Sequence, residues 1–172
     1  MRRTFISFSA ALLLFLQTVQ AAEVNPSDIQ VVAQALDYAE GLEGGDVTLG
    51  IVYSAADREA AEALAGHMRN GVRSGKIVLH PELIEVSELA RHGGVKAIFL
   101  MPGLEAHCDE IANITRARHL ISFADDEGYL RRDCCILVVR SQPTVDIILN
   151  VRGAEAAGVR FATVFILVVR RQ

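Results

Sequence analysis

What most constrains the fold of this chain is the alternation of short, β-branched apolar runs with segments of helical period. The run 47–53 (Val-Thr-Leu-Gly-Ile-Val-Tyr) is bounded by turn residues and predicts a buried strand. Similar runs follow at 76–80, 95–101 and 119–123. Between them lie segments whose apolar residues recur every three or four positions. In the first, Ser27 or Asp28 caps a helix through Ile29, Val32, Ala33, Leu36 and Tyr38 that stops at the glycines of 41–45. An alanine-rich helix over 55–70 is capped by Ser54 and stopped by Gly71. A short helix begins at Ser87, and another runs from Leu104 to about Arg118 after the Pro102-Gly103 turn.

Such alternation predicts an α/β fold with three layers, a mainly parallel sheet flanked by helices. Two further β-rich runs, 135–140 and 145–149, surround Ser141-Gln142-Pro143-Thr144 and predict an antiparallel hairpin near the C-terminus. Ala154 to Ala157 make a helical turn closed by Gly158. For the tail, 159–170, β-branched content favours a strand, while Phe161, Val164, Phe165 and Val168 share one face of a helix.

Residues 1–22 read as a cleavable secretory signal. Arg2 and Arg3 precede an apolar core that includes Phe5, Ile6 and Leu12 to Leu16, and Val19-Gln20-Ala21 offers small residues for cleavage after Ala21 or Ala22. The core is too short to stay as a membrane span, and there is no Leu-x-x-Cys box for lipid attachment. Residues 23–172 are therefore expected to form one periplasmic domain that does not span the membrane. The whole chain carries a formal charge of −4, and the signal contains two arginines and no acids, so the mature part stands at −6. That balance argues against a nucleic-acid partner, which would need a basic face. Cys108, Cys134 and Cys135 give an odd count in an oxidising compartment. At least one thiol is therefore free, paired between molecules or bound to something, and since Cys134 and Cys135 on a strand would point to opposite faces, only one of them could bond to Cys108.

A search for chemistry returns little. There is no Gly-x-Ser-x-Gly elbow, Walker loop, dinucleotide fingerprint, His-Glu-x-x-His motif or EF-hand loop, so no enzyme, cofactor or metal site is expected. The five histidines lack any paired ligand spacing, and Asp125-Asp126-Glu127 before Gly128 reads as a solvated turn. In open α/β sheets, ligands settle beyond the carboxyl ends of the strands. Ser54, Gly103 and Ser122 stand near those ends and are the candidate ligand-binding residues. Ser54 also satisfies a helix cap, and Asp57 and Glu59 in the following turn disfavour an anion there. A small-solute binding module serving a transporter or sensor is one functional reading.

Three blocks carry a resemblance to a family. They are Val47-Thr48-Leu49-Gly50-Ile51-Val52; then Val95 to Leu100 with His119-Leu120-Ile121-Ser122-Phe123 ahead of Gly128; and Ile147-Ile148-Leu149-Asn150 through Ala154-Glu155-Ala156-Ala157-Gly158-Val159-Arg160-Phe161. The chain resembles the YfiR-type periplasmic proteins, which implies a helical tail and a non-enzymatic regulator. Such a regulator would bind the periplasmic part of an inner-membrane diguanylate cyclase or sensor and repress it, restraining cyclic-di-GMP and biofilm formation. The resemblance also implies a homodimer and a redox-sensitive cysteine bond involving Cys134 or Cys135. Tyr129, Leu130, Phe161 and Phe165 are the candidate partner-binding residues.

Overall fold

In the computed structural model, which describes residues 24–172, each β-rich run joins one eight-stranded sheet. The elements are α1 (Pro26–Asp37), β1 (Gly45–Tyr53), α2 (Arg58–His67), β2 (Val72–Ser74), β3 (Ile77–Glu85), β4 (Ala97–Leu100), α3 (Cys108–Arg118), β5 (Ile121–Ala124), α4 (Glu127–Arg131), β6 (Leu137–Arg140), β7 (Asp146–Leu149), α5 (Val151–Ala156), α6 (Thr163–Val168) and β8 (Arg170–Arg171). Strand order across the sheet is β2-β3-β1-β4-β5-β6-β7-β8. Strands β3, β1, β4, β5 and β6 are parallel. β2 lies antiparallel on β3, and β7 antiparallel on β6, so the hairpin near the C-terminus is present. The secretory-signal segment lies outside the described residues.

Period-two alternation divides the apolar residues between two cores, one on each face of the sheet. Leu49, Ile51, Phe99, Phe123, Leu137 and Val139 point to the face covered by α1, α2, α5 and α6. Val52, Ile98, Leu100 and Val138 point to the other, covered by α3 and α4. The central strands are buried on both sides, as parallel strands must be when crossover helices cover both faces. Gly50 sits against the second core: a Cβ there would lie 2.6 Å from Ile84 Cδ1, so a larger residue would require the Ile84 side chain to shift.

Several boundaries differ from the sequence reading. Asn25, not Ser27 or Asp28, caps α1, its side chain accepting from the Ser27 N–H with Pro26 in the first turn. The strand expected at 76–80 extends to Glu85, and a short strand at Val72–Ser74 precedes it as a hairpin. The helix expected from Ser87 is a single 3-10 turn, Val86–Glu88. The acidic turn is the start of a helix, because Asp126 accepts from the Gly128 N–H and caps α4. The tail is both things in succession: α6 carries the apolar helical face and β8 pairs in parallel with β7.

Candidate functional site

Strand order fixes where a crevice must open. From β1 the chain goes to β3 on one side and then crosses to β4 on the other, so the loops leaving β1 and β4 diverge at their carboxyl ends. The loop after β1 contains Ser54 and a 3-10 turn, Ala55–Asp57. The loop after β4 contains Pro102 and Gly103 and a second 3-10 turn, Glu105–His107.

Ser54 does not cap a helix. Its hydroxyl donates to Asp57 Oδ2 at 2.5 Å, and no backbone N–H reaches it. A cap would need the Ser54 oxygen to accept from a backbone N–H of the next turn; here the hydroxyl is turned to donate to the carboxylate three residues on. Gly103 faces that pair: its φ is +87°, and a Cβ would stand 3.0 Å from Asp57 Oδ2. The structure thus brings Ser54, Asp57 and Gly103 together where the two loops part. Ser122 is not with them. It lies within β5, fully buried, and its Oγ accepts from the Ile136 N–H at 3.1 Å, which places it inside the sheet layer and away from any ligand.

Beside Gly103, at the carboxyl ends of β4, β5 and β6, an open cavity of about 330 Å³ is lined by Pro102, Glu105, Asp125, Asp126, Tyr129 and Arg140. The Tyr129 hydroxyl accepts from the Leu104 N–H at 2.9 Å and donates to the Met101 carbonyl at 3.0 Å, holding the β4–α3 loop in place. Burial pushes the Tyr129 phenol up and keeps it neutral. Arg140 Nε donates to the Asp125 carbonyl at 3.0 Å, and Nη1 lies 3.3 Å from Glu127. Burial raises the Asp125 carboxyl, as do the nearby Asp28 and Asp126. Asp28, itself buried at the start of α1, accepts from the Ser141 N–H at 2.7 Å and so fixes the end of β6. The cavity lining therefore combines three carboxyl residues, Glu105, Asp125 and Asp126, with one guanidinium, that of Arg140. No group of three or more His, Cys, Asp or Glu side chains among the described residues is arranged to hold a metal ion.

The Asp126 cap and the Tyr129 clamp carry no motif, and Glu105 and Arg140 look like ordinary surface charges until β4 and β6 are set two strands apart.

The candidate partner residues are not available to a partner. Tyr129, Leu130, Phe161 and Phe165 are all buried, because Tyr129 and Leu130 seal α4 against the sheet while Phe161 and Phe165 pack on each other under α6. The three cysteines are also buried and unbonded. Burial raises the thiols of Cys108 and Cys134. Cys134 and Cys135 precede β6 and belong to the same core, so they do not point to opposite faces of a strand.

No protein-family model matches the chain, and no curated protein matches it. Its fold is shared with solved structures. One is an ABC domain from Streptococcus pneumoniae in complex with L-Trp, at a TM-score of 0.56 and 9% identity, covering 85% of this chain and 59% of that one. Another is a conserved domain protein from Vibrio cholerae O1 biovar El Tor, at a TM-score of 0.58 and 10% identity, with the same 85% and 59% coverage. At such identities the likeness is one of fold. The chain spans 59% of the length of either structure.

Proposed function

We propose that the chain is a binding module for a small zwitterionic organic molecule, seated in the cavity beyond β4, β5 and β6 and working in the periplasm. The observation that carries this reading is the mixed charge of the cavity: Glu105, Asp125 and Asp126 line, together with Arg140, one space of about 330 Å³. A ligand ammonium would meet the carboxylates, a ligand carboxylate would meet Arg140, and an apolar remainder would lie against Pro102 and the edge of Tyr129. The volume falls within the range of small-molecule sites, and the location is the one open α/β sheets use. The L-Trp held by the pneumococcal domain of the same fold is a molecule of this class.

Calorimetric titration of residues 23–172 with L-Trp and then with the other amino acids tests the proposal. Saturable one-site binding is expected, weakened at least tenfold in both Arg140→Ala and Glu105→Gln, since each loses a charge-assisted contact of roughly 1.5–3 kcal/mol. Absence of binding across the panel, or binding indifferent to both variants, overturns it.

A second reading, a repressor of an inner-membrane diguanylate cyclase or sensor, draws support from the third resembling block. There β7 leads into Asn150, which caps α5, and Gly158 at φ +66° turns the chain towards α6. Ligand occupancy would then be the signal the repressor reads. Deletion of the gene should raise cyclic-di-GMP; an unchanged level, with no cyclase or sensor recovered on the tagged protein, discards this reading.

A further inference from the structure

Among the described residues, the large apolar side chains left in water gather in one place. Val164, Leu167 and Val168 of α6 are 59%, 76% and 77% exposed. Tyr38, 43% exposed, stacks on Phe165 of the same helix at 5.5 Å between ring centroids. Val145, 60% exposed, precedes Asp146, whose carboxylate pairs with Arg170 of β8 just after α6. A scattered exposed valine needs no explanation, whereas a contiguous apolar face at the end of a sheet marks a contact site.

The charges around this face differ from those of the rest of the chain. From 150 to 172 there are four arginines and one acid, on a chain whose net charge is −4. Arg160 pairs with Glu40, and Arg170 with Asp146 and Glu127. Arg152 and Arg171 meet no carboxylate among the described residues, and the Val151 N–H donates to the Gln172 carbonyl, so both arginines stand at the same end of the face. A two-fold contact that set these ends of the face against each other would bring four uncompensated cations together. Like charges so placed suppress pairing.

We infer that the outer face of α6, with β8 and Val145, is the docking surface for a different protein, through a segment whose apolar side chains are flanked by carboxylates. The apolar residues supply the buried centre, and Arg152 and Arg171 supply the charged rim that selects an acidic segment over a basic one. The inference does not depend on what the ligand cavity binds.

Peptide display against residues 23–172, with the Leu167→Asp variant as counter-selection, tests the inference. Enriched peptides should combine two or more apolar residues with Asp or Glu. A synthetic peptide of the enriched sequence should bind at least tenfold more weakly to Leu167→Asp and to Arg171→Glu. Replacing its acidic residues by Lys should restore binding to Arg171→Glu, which a merely folded-state effect of that variant could not do. Unchanged melting temperatures check that both variants fold. The inference is overturned if no peptide survives counter-selection, if binding ignores the charge reversal, if sedimentation shows a dimer that Leu167→Asp dissolves, or if phosphatidylglycerol vesicles bind the face as the peptides were expected to.

Discussion

Two residues make the cavity stiff and set its response to pH. Tyr129 joins the Leu104 N–H and the Met101 carbonyl through one hydroxyl in a buried setting. Tyr129→Phe leaves both backbone groups unpaired, so urea unfolding should show a loss of about 2 kcal/mol with an unchanged m-value. Asp125 acts in the opposite sense. Its carboxyl is raised by burial, so the folded state holds the proton more tightly than the unfolded chain. Stability contributed by that group is therefore full below the ordinary carboxylate range, near pH ~4, and declines as pH rises through the folded-state value. Asp125→Asn should be more stable than the parent at neutral pH, with the difference vanishing on acidification; urea midpoints across this range read it directly. The thiols give a third test at this scale. Burial raises Cys108 and Cys134, which lowers the reactive thiolate fraction. Iodoacetamide should label neither in the folded protein and both after denaturation, as counted by mass spectrometry.

At the scale of elements, the central strands carry the fold and the caps join its pieces. Leu49 lies fully buried in β1 between β3 and β4, so Leu49→Ala should cost about 3 kcal/mol. Asn150 does two jobs: its Oδ1 accepts from the Gly153 N–H to cap α5, and its Nδ2 donates to Asp133 Oδ1 at 2.8 Å. Asn150→Ala should lower the unfolding midpoint by an amount equal to about 1–2 kcal/mol. The strands were legible because both-sided burial writes near-continuous apolar runs, as at 47–53 and 95–101. β2 was not, since Val72-Arg73-Ser74 is a half-exposed edge whose pairing with β3 is decided by the turn, not by its own pattern. Ser54 misled for a related reason. Its position suits a cap, but the outcome depended on Asp57 being near enough to take the hydroxyl. The tail's ambiguity was physical: the β-branched residues that favour a strand lie in the short helix α6, while the strand that follows is the pair Arg170–Arg171.

For the molecule as a whole, topology places function where no motif announces it. The reversal of strand order opens the carboxyl ends of β1 and β4, and the cavity lies alongside over β4, β5 and β6. Ser54 and Gly103 were in reach of sequence reasoning because they end strands, while Ser122, one residue too early, turned inward with the pleat. The residues of the partner face were legible only as apolar. Which half of the tail faces water follows from how α6 rolls on Tyr38 and Phe161, a contact set by the Ala39–Phe161 bridge more than a hundred residues apart in sequence. No helix among the described residues is long and apolar enough to cross a membrane.

The ligand cavity is the claim on which the functional account rests, and amide chemical-shift mapping of residues 23–172 during titration with L-Trp tests it most directly. The account predicts saturable shifts centred on Gly103, Glu105, Asp125, Asp126 and Arg140. Shifts gathered instead on Ala60, Ala63, Leu64 and His67, which line a separate groove beside α2, or no shifts at any concentration reached, would contradict it.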